Sequence, residues 1–220
     1  ETSCRLTEMA SDLNEDHHIF WFRRDLRIAD NRGLFHALSA DLPVRCIFIF
    51  DQNITGELPK NDARITYIHR LLRNLKADLQ SAGSDLDVYV GSPIEIHKRL
   101  AASPEVNGLF ANRDYEPYAQ NRDKQVLEIF QTNGKFFKGF RDHVVFEKDD
   151  ILKKDGTPYT VYTPYSKQWK QNFSKERIAP VPSENLLSNL LSFSASHPLP
   201  TLPALGFEPT QQEIPRLNWS

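Results

Sequence analysis

The sequence predicts an α/β fold, a Rossmann-like five-stranded parallel sheet with helices on both faces, followed by a Pro-rich interdomain linker. Three observations carry that expectation. Short apolar runs alternate with longer stretches whose apolar residues recur every three or four positions. The run from Val44 to Phe50 is nearly continuously apolar, as a strand covered on both faces must be. Seven of the fourteen prolines fall in residues 180–220, a density that removes backbone donors and forbids long regular elements.

The elements follow in order. Residues 19–22 form a short apolar run, and Asp30 is placed to cap a helix reaching about Ala40. Residues 44–50 make the second strand. Asn61 then precedes the longest helix, in which Ile65, Ile68, Leu71, Leu72, Leu75 and Leu79 share a face and Gly83 ends the run. Residues 86–90 are a third strand. Ser92 and Pro93 open the next helix, with proline at its first position. A strand over 108–111, a helix from about Pro117 to Gly134 and a strand over 135–140 complete the alternation. Such alternation with short links argues parallel strands and crossover helices. Beyond Arg141 the pattern breaks into short strands or turns, then a helix from Thr163 and Pro164 to about Lys175.

Composition bounds the function. The chain has 220 residues, 40% hydrophobic and 11% aromatic, so it has the means to bury a core. Its formal charge of -2 excludes a protein that coats polyanions globally but allows a local basic patch. Two cysteines cannot make a disulfide framework, so a reducing compartment, the cytoplasm, is expected. No stretch approaches the roughly 18 apolar residues of a membrane span, so no membrane partner is expected.

The two ends differ from the middle. Residues 1–16 hold one arginine against five acids and read as a disordered or tag-like tail, with Met9, the chain's one methionine, as a natural start after residues 1–8. Residues 17–179 read as the folded domain. Residues 180–220 read as an extended linker with one amphipathic piece, 184–193, lying on a surface. A linker leads somewhere, so the chain is expected to be a piece of a two-domain protein.

In an open parallel sheet, ligands bind outside the carboxyl ends of the strands. Arg23, Arg24, Asp25 and Arg27 follow the first strand, Phe50 and Asp51 end the second, and Asn112, Arg113, Asp114 and Glu116 follow the fourth. No glycine-rich phosphate cradle is present, which argues against a dinucleotide or P-loop site. The charged run admits two readings: solvated charges pairing with Asp30 and Asp51, or a site for a flat polar heterocycle with an anionic tail. Residues 133–177 carry ten Lys/Arg against six Asp/Glu, with Tyr159, Tyr162, Tyr165, Trp169 and Phe173 interleaved. That pattern suits a nucleic-acid border, although composition favours rings packed against a neighbouring part of the protein.

Several ordered motifs resemble the photolyase/cryptochrome family. They are Phe20-Trp21-Phe22-Arg23-Arg24-Asp25-Leu26-Arg27 with Asp30-Asn31, then Phe50-Asp51, then Asp114-Tyr115-Glu116-Pro117-Tyr118 with Arg122-Asp123. Pro158-Tyr159, Val161-Tyr162-Thr163-Pro164-Tyr165 and Trp169 follow, and the segment from Leu199 to Phe207 is similar to the one that leads that family into its second domain. The resemblance spans about 18–209.

The resemblance implies the N-terminal antenna domain of a deoxyribodipyrimidine photolyase, which repairs ultraviolet-made cyclobutane pyrimidine dimers in DNA using light. It implies FAD in a C-terminal helical domain beyond this chain, UV-damaged DNA and that domain as partners, and no repair by this piece alone. Tyr118 and Ala119 stand where folate-binding members carry Asn-Glu, so the resemblance favours a deazaflavin or flavin antenna over folate. Carried over, Arg24, Phe48, Asp51 and Glu116 line the antenna site, with Phe50 and Asn112 as further candidates. Lys153, Lys154 and Trp169 would face DNA or the second domain. No catalytic residue and no metal ligand is expected, because an antenna absorbs light and passes excitation on. Two alternatives stay open: the same domain of a cryptochrome, and a nucleotide-binding α/β module of the electron-transfer-flavoprotein or stress-protein type.

Overall fold

The structure is a computed structural model that describes residues 15–210. Five strands form one sheet: β1 (His17–Phe22), β2 (Val44–Asp51), β3 (Leu86–Gly91), β4 (Val106–Asn112) and β5 (Phe136–Phe140). Their order is β3-β2-β1-β4-β5, and every neighbouring pair is parallel. The direction of winding reverses at β1, which opens a crevice at the carboxyl ends of the strands.

Helices α1 (Arg32–Leu38), α2 (Gln52–Thr55), α3 (Ala63–Ser81), α4 (Pro93–Ala102), α5 (Pro117–Thr132) and α6 (Tyr162–Asn172) follow in chain order. Strand alternation sends Phe20, Phe22, Phe48 and Phe50 to one face, against Leu34 and Leu38 of α1 and Leu72, Leu75 and Leu79 of α3. It sends Ile19, Trp21, Ile47 and Ile49 to the other, against Ile96 and Leu100 of α4 and Val126 and Phe130 of α5. Each such fully buried side chain contributes about 1.5–3 kcal/mol. Sheet and helices thus follow the sequence expectation.

Two caps differ from it by one residue. Asn31, not Asp30, caps α1 by accepting from the Leu34 N–H, while Asp30 takes a left-handed conformation at φ 51° and accepts from the Val181 N–H. Asp62, not Asn61, caps α3 by accepting from the Arg64 N–H at 2.9 Å. In both places two adjacent residues are chemically able to cap, and tertiary contacts choose between them. Gly83 ends α3 as expected, at φ 82°. The segment after Arg141 is mostly turns, with one antiparallel bridge between Leu152 and Pro158, and α6 stops at Asn172 rather than near Lys175.

The described part of the proline-rich segment, 180–210, docks on the domain and is interrupted by 3-10 helices at Ser183–Asn189 and Pro203–Leu205. The expected surface helix is a 3-10 helix, Ser183–Asn189, on α1, with Asn189 Nδ2 donating to the Leu38 carbonyl and Leu190 and Leu191 buried. The chain then covers the open edge of the sheet. The Val88 N–H of β3 donates to the His197 carbonyl at 2.8 Å, and the Ala195 and His197 N–H groups donate to Asp85 and Asp87. Covering an edge strand in this way removes a template for aggregation. Asp87 is also ion-paired, buried, with Arg45. Farther on, Phe207 is buried and the Glu208 N–H reaches the Lys60 carbonyl. The tail expected over 1–16 lies outside the described residues except for its last two, and so does 211–220. Among the described residues no helix is long and apolar enough to cross a membrane.

Candidate functional site

A cleft opens at the carboxyl ends of β1 and β2, between α2 and α3 on one side and α5 on the other. Its floor is apolar: Trp21, Phe22, Phe48, Ile49, Phe50, Ile54, Ile65 and Ile68. Phe48 and Phe50 meet edge to face at 5.0 Å, are nearly buried, and belong to the core while one side of each lines the cleft. Polar groups form the rim.

Two polar bars cross the mouth. Arg24 donates from Nε to Asp114 at 2.9 Å and pairs through Nη2 with Glu116 at 2.7 Å. Tyr118 donates its hydroxyl to Asp51 Oδ2 at 2.7 Å and accepts from Asn53 Nδ2 at 3.1 Å. Asp51 accepts the Asn53 N–H through its other oxygen, which caps α2 and fixes the carboxylate. Burial, then the bond to Asp51, pushes the Tyr118 hydroxyl above its ordinary pKa, so it stays a donor.

With both bars in place the cavity is about 150 Å³. Small-molecule sites usually measure roughly 300–1,000 Å³. Arg24 and Glu116 are more than half exposed, so their bar can swing into water without unpacking the core. The donor set then fits a flat heterocycle: an aromatic and aliphatic floor, carboxylates to accept from ring N–H groups, and a guanidinium to meet a carbonyl or anionic oxygen.

Beneath the cleft the Arg23 guanidinium donates from Nη1 to both oxygens of Asp123, at 2.8 and 2.7 Å, and Arg122 donates to the same carboxylate. His97 packs against Trp21 at 4.4 Å between ring centroids. Burial, with the nearby charges of Arg122 and Arg23, pulls its pKa down to about 3, so the ring is neutral.

A family model described as DNA photolyase matches residues 18–185. The chain belongs to the DNA photolyase family. A deoxyribodipyrimidine photo-lyase of Synechococcus is 33% identical over 195 residues, which cover 86% of this chain and 40% of the relative. Cryptochrome-1 of Macaca fascicularis is 26% identical over 200 residues, covering 86% of this chain and 33% of its own length. The crystal structure of a class III photolyase from Agrobacterium tumefaciens superposes with a TM-score of 0.74 at 27% identity, over 93% of this chain and 41% of that one. The chain therefore spans well under half the length of these photolyases and cryptochromes.

Of the residues expected at an antenna site of this family, the structure brings Arg24, Phe48, Phe50, Asp51 and Glu116 to one cleft. It does not bring Asn112 there. Asn112 is buried on the α1 side, where its Oδ1 accepts from the Gly33 N–H at 2.7 Å and its Nδ2 donates to Asn31 and to the Asp25 carboxylate. The approach is so close that a Cβ on Gly33 would lie 2.5 Å from Asn112 Oδ1. The arginines of the run pair with Asp123, Asp114, Glu116 and Asp142, and none pairs with Asp51. Only the Asp30 carbonyl is met, by Arg27.

Sequence reasoning missed Trp21 and Arg122 as lining residues, and used Tyr118 only as a departure from the folate-type pattern. The four-residue spacing of Tyr118 and Arg122 at the start of α5 is the signal that puts them on one helix face. Lys154 is exposed and Lys153 partly so, while the Trp169 ring packs between Phe146 at 5.3 Å and Phe173 at 5.2 Å, away from the cleft. No residue of α6 is buried, and Tyr162 is 78% exposed.

Proposed function

We propose that the cleft holds a light-harvesting chromophore, a flavin or deazaflavin rather than a folate, and that the complete protein is a deoxyribodipyrimidine photolyase acting on cyclobutane dimers in DNA. The observation that carries the reading is the pairing of an apolar floor with the Arg24, Asp51 and Glu116 rim at the carboxyl ends of the strands. Bound there, the chromophore would supply absorption of near-ultraviolet or blue light and hand the excitation to FAD in the second domain of the parent. The protein's own part is passive. Phe48 and Phe50 support the ring, Asp51 and Glu116 accept from its N–H edge, and Arg24 meets an oxygen. Tyr118, where a folate site would need an amide, favours the flavin type.

The exposed apolar and aromatic side chains of Val161, Tyr162 and Tyr165 suit the second domain as a partner. The basic surface at Lys153 and Lys154, with Trp169 behind it, suits the border of damaged DNA. A lesion already unstacked costs less to extrude, which is what a flipping enzyme requires. The buried free thiol of Cys46 is compatible with a cytoplasmic setting.

The test is fluorescence anisotropy of riboflavin monophosphate, a deazaflavin and methenyltetrahydrofolate titrated with the chain, beside calorimetry with ATP. Saturable uptake of either flavin type is expected. Uptake of the folate alone overturns the chromophore assignment, and tight ATP binding without flavin uptake favours the nucleotide-binding module. The 26% identity to a cryptochrome keeps light signalling as a second reading of the parent. Absence of light-dependent dimer loss with the full-length protein would select it.

A further inference from the structure

Two rings that give up an electron readily line the cleft, Trp21 and Tyr118. Beside an excited chromophore each is a quencher. One electron leaves the ring for the excited molecule, and the absorbed light is lost as charge separation before it can be handed on. Trp21 would be left as an indole radical cation. Tyr118 would lose its phenolic proton as well, to the Asp51 carboxylate that already accepts its hydrogen bond. A site that collects light for use elsewhere must hold both rings back.

The structure places two cations where they oppose those losses. The guanidinium carbon of Arg122 lies 4.7 Å from the Trp21 ring centroid and 5.9 Å from that of Tyr118. That of Arg23 lies 5.0 Å from Trp21. A cation is attracted to the face of a neutral ring, and it is repelled by the same ring once oxidised. The repulsion is little screened here, because both arginine side chains are more than nine-tenths buried. Among the described residues a single carboxylate, Asp123, pairs with both guanidiniums, so the pair keeps a net positive charge. Nε and Nη2 of Arg23 are buried without a hydrogen-bond partner among the described residues. His97 senses the same field, since Arg122 and Arg23 both contribute to its lowered pKa.

We propose that Arg23 and Arg122 insulate the cleft electronically, raising the energy of one-electron oxidation of Trp21 and Tyr118 so that an excited chromophore transfers its energy instead of taking an electron from the protein. The proposal rests on the reading of the cleft as a chromophore site.

Time-resolved fluorescence of riboflavin monophosphate bound to the chain tests it, with transient absorption reporting any indole radical. In Arg122→Met the bound lifetime is expected to fall several-fold and an indole radical to form. Arg122→Lys, which keeps the charge, is expected to retain the wild-type lifetime. Adding Trp21→Phe and Tyr118→Phe to Arg122→Met is expected to restore it. An unchanged lifetime in Arg122→Met overturns the insulation while leaving the chromophore site standing. Indole radical formation in the wild-type chain does the same, with no variant needed should Arg122→Met fail to fold. If the wild type takes up no flavin, the reading of the cleft fails, and the insulation with it.

Discussion

Two polar clusters sit side by side on the carboxyl rim of the sheet, and they are built for opposite ends. In one, Asp25, Asn31 and Asn112 are buried and every side-chain amide is committed: Asn112 to Gly33, Asn31 and Asp25, and Asn31 to Leu34, Asp25 and Arg27. In the other, Arg24, Glu116 and Tyr118 are exposed enough to exchange their partners for a ligand's or for water. Both clusters use residues that follow β1 and residues that end or follow β4. Position after a strand selects both as candidates, and free hydrogen-bonding capacity beside a hollow sets apart the cluster proposed as the site. A closed network ties loops together, whereas an open one waits for a partner.

The largest effect is expected in the closed cluster. Asn112→Ala strands the Gly33 N–H and removes a donor from the buried Asp25 carboxylate, a loss on the order of 3 kcal/mol or more in urea unfolding. Flavin affinity of the folded fraction is expected to stay within about twofold, since Gly33, Asn31 and Asp25, the hydrogen-bond partners of the Asn112 side chain, lie outside the cleft lining. A collapse of affinity at intact fold would merge the two clusters into one site.

Acid acts on the core beneath the cleft. His97 is fully buried, and burial holds its folded pKa at about 3 against an ordinary 6.5. Below pH 6.5 the unfolded chain takes up a proton that the folded chain refuses. Stability from this group is therefore complete above pH 6.5 and is lost progressively as pH falls toward 3, with a slope approaching about 1.4 kcal/mol per pH unit. His97→Leu is expected to flatten the profile of unfolding free energy against pH, leaving a smaller slope from His17 and His36, whose pKa values burial also lowers. An unaltered profile would place the acid sensitivity elsewhere.

The sheet was legible because alternation and crossover spacing are properties of local sequence. Val44 to Phe50 announces a central strand, and the apolar stripe from Ile65 to Leu79 announces its helix. Most of the rim was legible too, through the rule that ligands gather after parallel strands. What was not legible depends on which way a side chain turns at a strand's end. Continuing the alternation from Phe110 puts Asn112 on the α1 face, where Gly33 comes against it. Continuing it from Phe50 puts Asp51 on the opposite face, beneath Tyr118. Tyr118 and Arg122 enter the cleft only through the phase of α5, set by packing of Val126 and Phe130. The docking of the proline segment was hidden for a related reason. Prolines exclude helix and ladder, but they say nothing against docking, and the contacts of Asp85 and Asp87 with Ala195 and His197 are made by backbone groups that no side-chain pattern reveals.

The smallest effect on stability belongs to the open cluster, and there the comparison is sharpest. Arg24 makes two ion pairs across the cleft mouth with its side chain 58% exposed, so salt and solvent screen them. Arg24→Ala is expected to cost less than about 1 kcal/mol in unfolding free energy. Its effect on ligand traffic is expected to be larger, and of a particular kind. Removing the side chain breaks one of the two bars that narrow the cavity, so flavin should associate faster. On the proposed reading it also removes the cation that meets the ligand's oxygen, so flavin should dissociate faster still and bind several-fold more weakly. Stopped-flow fluorescence reads the two rates separately. Faster association with unchanged dissociation would make Arg24 a bar alone, and slower dissociation would remove it from the chromophore's contacts altogether.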